Sequence, residues 1–235
     1  QFCVSRPTHQ AEQYPVSKGT LTLDDRLYDY MLSASLREPD VLRRLREETS
    51  KLEWSVMQIS PEQGQFMRLL VEMIGARRTI EVGTFTGYSS ISVALGLPAD
   101  GHVVACDVSE EWTAMARRYW AEAGVADKIT LHLAPAVETL DSLIAAGEAG
   151  AYDFAFIDAN AEGYMDYYER CLVLVRDGGV LAVDNVLWEG KVADPADTSE
   201  STEAIRAFNA MLHADERVSI SMLPLADGLT LARKR

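Results

Sequence analysis

Residues 81–90 read Glu81-Val82-Gly83-Thr84-Phe85-Thr86-Gly87-Tyr88-Ser89-Ser90, two glycines four apart where an apolar strand pattern (79–82) passes into a helical one (89–97). A glycine-bearing turn at the carboxyl end of a first strand lets a ligand approach the backbone, and open α/β sheets bind their ligands there. The spacing is Gly-x-x-x-Gly. The Gly-x-Gly-x-x-Gly that seats a dinucleotide pyrophosphate on a helix N-terminus is missing, which disfavours a nicotinamide-dependent oxidoreductase. A tight turn without a ligand would use the same glycines.

Outward from this loop the pattern alternates. Strands are predicted at 102–107, 129–133, 152–157 and 179–183, with helices at 110–123, 136–146, 164–174 and 201–213 between and after them. Strands separated by helices of this length imply right-handed crossovers and a mostly parallel sheet covered on both faces, a doubly wound α/β fold. Two terminal strands, 218–223 and 229–232, flank Ala226-Asp227-Gly228 and predict a hairpin with an antiparallel edge. Upstream, Leu27, Tyr30, Met31 and Ala34 recur at helical spacing, and Pro39-Asp40 opens a charged helix over 41–51; both read as helices outside the main sheet. Ser60-Pro61-Glu62-Gln63 predicts an N-cap, a first-turn proline and a capping-box Gln before an apolar face of Phe66, Leu69, Leu70 and Met73. Residues 1–22 carry no period and read as an N-terminal arm, leaving 23–235 as a single domain.

The 235 residues suffice for one α/β core, and 48% hydrophobic with 25% charged residues is an ordinary globular balance. A formal charge of −14 repels polyanions, so neither nucleic acid nor an acidic membrane face is an expected partner. Cys3, Cys106 and Cys171 form no metal or disulfide spacing, which fits a reducing cytoplasm. No apolar run is long enough to span a membrane, and the opening residues lack the apolar core of a signal peptide. The chain opens on Gln1 rather than Met, which leaves room for residues before it.

Three strand ends carry oxygen ligands. Asp107 closes the second predicted strand, about twenty residues beyond the glycine loop, where a carboxylate can accept both hydroxyl protons of a ribose. With the loop it specifies an adenosine-like ligand without phosphates; Asp107 could instead cap the next helix. Ala134-Pro135-Ala136 would wall an adenine ring or merely turn the chain. Asp158 ends the fourth strand and Asp184-Asn185 the fifth, so these three could converge beside the loop. Two carboxylates and an amide oxygen suit a hard cation such as Mg²⁺ and not zinc, unless the acids are only caps or solvated loop ends. Tyr164, Tyr167, Tyr168 and Trp188 could ring an acceptor, although aromatic stripes on helices more often face the core.

In the stretches MQISPEQGQF (57–66), EVGTFTGYSS (81–90), ACDVSEEW (105–112), AGEAGAYDFAFIDA (146–159), GGVLAVDNVLW (178–188) and LADGLTLARKR (225–235), the sequence resembles the caffeoyl-CoA and catechol O-methyltransferase family, its bacterial members in particular. The resemblance covers residues 23–235. It implies a Rossmann-like seven-stranded sheet and a methyl transfer from S-adenosylmethionine to a catechol-type hydroxyl, assisted by a divalent cation, in a homodimer whose N-terminal arm helps shape the acceptor pocket. It implies a cofactor site of Ile59, Glu81, Gly83, Thr84, Ser89, Asp107, Ala136, Asp158 and Tyr167. Asp158, Asp184 and Asn185 would be the metal ligands, with Asp158 also catalytic. One position departs from the family, whose Asp-Ala-Asp-Lys becomes Asp158-Ala159-Asn160-Ala161 here. The family lysine is regarded as the base or orienter of the acceptor hydroxyl, and Ala161 can be neither. Metal activation could suffice, Lys191 or Lys18 could substitute, or the chain could bind S-adenosylmethionine and metal without efficient transfer.

Overall fold

A computed structural model describes residues 21–235. The arm, Lys18 and Cys3 fall largely or wholly outside the described residues. The described residues fall into two units, one ending at Leu36 and the other running from Arg37 to Arg235. The first contributes α1 (Asp25–Ser35), capped by the Asp24 carboxylate accepting from the Leu27 N–H at 2.8 Å.

The second unit runs α2 (Asp40–Thr49), α3 (Pro61–Met73), β1 (Arg78–Val82), α4 (Tyr88–Gly96), β2 (His102–Asp107), α5 (Glu110–Glu122), β3 (Ile129–Leu133), α6 (Ala136–Ala145), β4 (Tyr152–Ile157), α7 (Tyr164–Leu174), β5 (Val175–Val183), α8 (Glu200–Ala214), β6 (Val218–Leu223) and β7 (Leu229–Lys234). The sheet order is β3-β2-β1-β4-β5-β7-β6, parallel except where β7 pairs antiparallel with β5 and β6. The doubly wound sheet and its antiparallel end are as expected. Central strands are apolar throughout, as sheets covered on both faces require: Ile80, Val82, Ala155 and Ile157 pack on one side, Val103, Ala105, Phe154 and Phe156 on the other.

Two sequence expectations need correcting in α3. Its buried residues are Gln63, Gly64, Met67 and Val71, whereas Leu69 and Met73 of the expected apolar face are 53% and 74% exposed. Gly64 explains the rotation: a Cβ there would lie 2.7 Å from Ser92 Oγ and 2.8 Å from the Tyr88 ring, so α4 packs against the glycine face. The capping box does not form either. Ser60 makes no side-chain cap, and Gln63 Nε2 donates to Asp184 Oδ2 at 2.7 Å, across the sheet top from its own helix end.

Parallel registry brings the strand ends to one level. The Gly83 N–H donates to the Cys106 carbonyl, Asp158 N–H to Val82, Asp184 N–H to Ile157 and Ala134 N–H to Asp107, at 2.8–3.0 Å. Chemistry-bearing residues one position past β1, β4 and β5 are therefore neighbours.

Candidate active site

A cavity of about 970 Å³ opens along these strand ends. Ile59, Gly83, Thr84, Ser89, Asp107, Ala136, Asp158, Tyr167, Asp184 and Asn185 all line it, which places nearly every expected site residue on one surface. Glu81 is the exception: it is 3% exposed, absent from the lining, and neither carboxylate oxygen meets a hydrogen-bond partner among the described residues. Burial pushes its carboxyl up to about 8, and the Ser89 and Thr84 hydroxyls only partly oppose this.

At the glycine loop, Gly83 has φ +90° and a Cβ there would fall 1.8 Å from the Asp158 carbonyl oxygen. Only glycine lets β1 and β4 end this close together. The loop is tied to β2 by Asp107, whose Oδ2 accepts the Thr84 and Phe85 N–H groups at 3.0 and 2.8 Å; Oδ1 accepts from the Ser109 N–H at 2.8 Å. Helix capping falls to Ser109, whose Oγ accepts from the Trp112 N–H. Asp107 thus spends about three of its four lone-pair sites on main-chain N–H groups, two of them in the loop, and about one is left. Phe85 meets Trp112 edge to face at 5.1 Å, and with Val108 and Pro135 they form an aromatic and apolar slot beside Ala136. Sequence reading missed Phe85, Val108 and Trp112, although all three lie inside stretches it had singled out.

At the other end of the cavity, Asn185 Nδ2 donates to Asp158 Oδ1 at 2.9 Å, and the Asn185 N–H donates to Asp184 Oδ1 at 2.8 Å. Asp184 is 4% exposed, while Asp158 opens partly to the cavity. Desolvation raises both carboxyls above the usual range, and for Asp158 the Asp184 and Glu81 carboxylates add to the rise. Tyr164 donates to the Asp184 carbonyl and packs on Phe208, and Tyr168 is also buried against Phe208; these two tyrosines belong to the core. Tyr167 and Trp188 do line the cavity, Tyr167 donating to Asn160 Oδ1 at 2.8 Å. Asp227, which sequence reading treated only as a turn residue, is a further lining carboxylate with a raised pKa from partial burial.

Ala161 is 5% exposed and does not line the cavity. Among the described residues Lys191 is the only lysine or arginine that does. It is paired with Glu189 at 2.6 Å, which raises its pKa and keeps it protonated, the wrong direction for a base near neutral pH.

The donor set suits a hard cation. Acids that repel each other across a polar floor, an amide between them and the unpartnered, buried Gln63 Oε1 are oxygen-rich and hold no thiolate or imidazole. No three His, Cys, Asp or Glu side chains among the described residues are placed to hold one metal ion together, so any cation here would rest on two carboxylates and neutral oxygens.

The family described as O-methyltransferase matches residues 32–235. Catechol O-methyltransferase domain-containing protein 1 of Mus musculus is 46% identical over 90% of this chain and 80% of its own. The caffeoyl-CoA O-methyltransferase of Eucalyptus gunnii is 39% identical over 97% and 94%. Among solved structures, the O-methyltransferase TomG of Streptomyces achromogenes in complex with SAM superposes with TM-score 0.79 at 33% identity, over 88% of this chain and 94% of that one. The O-methyltransferase of Bacillus cereus in complex with SAH gives 0.80 at 31%, over 88% and 96%. A glycine loop and a cluster of oxygen-bearing side chains on one cavity wall suit such an enzyme: the chain belongs to the O-methyltransferase family and is an S-adenosylmethionine-dependent O-methyltransferase of the caffeoyl-CoA/catechol type.

Proposed function

We propose that the enzyme methylates one hydroxyl of a vicinal aromatic diol, held by a divalent cation, Mg²⁺ by preference, on Asp158, Asp184 and Asn185. The observation that carries this reading is the join of Asn185 Nδ2 to Asp158 Oδ1 at 2.9 Å, with Asp184 locked to the Asn185 backbone, so that residues from two strand ends share one point in the cavity. A divalent cation there, when bound, lowers the pKa of a phenolic hydroxyl and fixes its direction.

The rest of the chemistry falls to the chain. Gln63 holds Asp184 from below, and the Gly83 turn lets the donor approach the strand ends. The slot of Phe85, Trp112 and Pro135 fits the adenine, leaving the sulfonium methyl between glycine loop and acid cluster. Trp188 and Tyr167 flank the acceptor ring, and Asp227 suits the second hydroxyl of the diol. Transfer then moves the methyl carbon from sulfur to oxygen in one displacement, with S-adenosylhomocysteine leaving and the phenolic proton passing to solvent. Holding both partners in line supplies much of the acceleration.

The test is a methyl-transfer screen over catechols and their monohydroxyl analogues, with Mg²⁺ and after chelation, using this chain and its Ala161→Lys variant. Mg²⁺-stimulated transfer to diols alone supports the reading; equal rates after chelation overturn it. Lys191→Met is expected to change kcat by less than about threefold, because a paired, protonated lysine supplies none of the 10²–10⁴-fold that a general base gives. A fall of about a hundredfold in steady-state kcat would restore Lys191 as the base.

The charge of −14 supports a small-molecule partner over nucleic acid. Exposed Leu69 and Met73 on α3 support the homodimer that the resemblance implies. No described helix is long and apolar enough to cross a membrane.

A further inference from the structure

The segment between β5 and α8 carries Trp188, Glu189 and Lys191 into the cavity, and its backbone is strained. Asn185, Trp188 and Glu189 have φ of +57°, +49° and +52°, left-handed values that side-chain-bearing residues avoid. Such conformations persist only where the surroundings over-determine them. Part of that restraint comes from Asp227, whose carbonyl accepts the Leu187 N–H at 2.9 Å and whose Oδ1 accepts the Glu189 N–H. Asn209 Nδ2, from α8, donates to the Val186 carbonyl at 2.8 Å.

Immediately after the strained residues, one side chain holds the rest of the segment. Arg206, at the middle of α8, donates through Nε to the Val192 carbonyl at 3.0 Å, through Nη1 to Asp197 at 2.8 Å, and through Nη2 to Lys191 at 2.9 Å and to Asp194. Four main-chain carbonyls of residues 191–197 converge on a single guanidinium, which Glu203 also pairs at 2.5 Å. Five N–H donors in a fixed planar fork can satisfy this arrangement, and an ammonium cannot.

We propose that Arg206 is a positioning residue for acceptor recognition: it clamps residues 191–197 so that Trp188 and the rim of the cavity stand at the acceptor end, while the nucleoside end is built from other elements. This deepens the O-methyltransferase reading and rests on it. Arg206 itself lies outside the cavity lining and touches no substrate. A simple strut between helix and loop would lower stability and leave substrate constants alone. A positioning role divides the two substrates.

The experiment compares Arg206→Ala and Arg206→Lys with the parent in the full chain. It measures KM for the best catechol of the panel, affinity for S-adenosylmethionine by calorimetry, and trypsin cleavage at the Lys191–Val192 bond, mapped by mass. The expected result for Arg206→Ala is an acceptor KM raised about tenfold or more, donor affinity within about twofold of the parent, and rapid cleavage after Lys191. Arg206→Lys, keeping the charge and losing the fork, should fall between and remain foldable if the alanine variant is not. An unchanged acceptor KM, or equal loss of donor and acceptor binding, would overturn the proposal. The trypsin arm needs no acceptor, so a failure to methylate any diol strikes the substrate assignment, whereas a Lys191–Val192 bond as resistant as the parent's strikes the clamp.

Discussion

Asp184→Asn should reduce Mg²⁺-stimulated methyl transfer by about 10³-fold or more, while the metal-free protein melts at a higher temperature than the parent. The first half follows from ligand chemistry. One of the two carboxylates proposed to hold the cation becomes neutral, and Lewis-acid help worth several kcal/mol, at about 1.36 kcal/mol per decade of rate, is forfeited. The second half follows from what the pair costs without a cation. Asp184 is 4% exposed and shares the floor with Asp158, and desolvation raises both carboxyls. A carboxyl whose folded pKa is raised stabilises the fold only at acid pH and loses that contribution as pH climbs through the raised value. At neutral pH the parent therefore carries a strained acid pair that Asn relieves, although its single amide oxygen can keep only one of the two contacts that Asp184 accepts, from Gln63 Nε2 or from the Asn185 N–H. Thermal melts in chelator and in Mg²⁺ separate the effects: the parent gains stability on adding the cation, and the variant does not. A variant that still methylates catechols at the parent rate, or whose melting temperature still climbs with Mg²⁺, would remove Asp184 from the metal site.

Much of this site was legible in the sequence because parallel sheets translate sequence into position. Once 79–82, 102–107 and 152–157 are read as strands, Gly83, Asp107 and Asp158 must stand side by side, and backbone pairing of Val82, Cys106 and Ile157 does place them so. What stayed hidden depends on contacts between distant residues. Leu69 and Met73 fit the helical period as well as Met67 and Val71 do, and only the approach of Tyr88 and Ser92 to Gly64 selects the buried face. Gln63 looks like a capping residue until Asp184, 121 positions on, takes its amide. Arg206 and Asp227 lie in segments whose local pattern is fully explained by a helix and a turn. The tyrosines of α7 obey simple geometry: 164 and 168 share a helix face turned to Phe208, and 167 does not.

Glu81→Gln is expected to stabilise the protein at neutral pH and to do so increasingly as pH rises. The carboxyl is 3% exposed, without a hydrogen-bond partner among the described residues, and raised by burial to about 8 from an ordinary 4.5. In the folded chain it holds its proton to near pH 8, whereas in the unfolded chain it loses it near 4.5. Its contribution is thus fully present below about pH 4.5 and declines by about 1.4 kcal/mol per pH unit until the folded pKa is passed. Glutamine titrates in neither state, so the difference in urea-unfolding free energy between variant and parent should be small at pH 5 and several kcal/mol at pH 8, less the cost of an unsatisfied amide. Parallel stability curves across that range would mean that Glu81 is ionised or solvated in the fold. Glu81 raises the pKa of Asp158, and Asp107 in turn raises that of Glu81, so three acids surround the nucleoside loop. S-adenosylmethionine carries a sulfonium charge that S-adenosylhomocysteine lacks. A sulfonium at the loop would draw the proton off Glu81 below its raised pKa, and the anion so formed would favour the charged donor over the spent product. The stabilised variant should therefore bind the two nucleosides more equally than the parent, with product inhibition rising as stability rises.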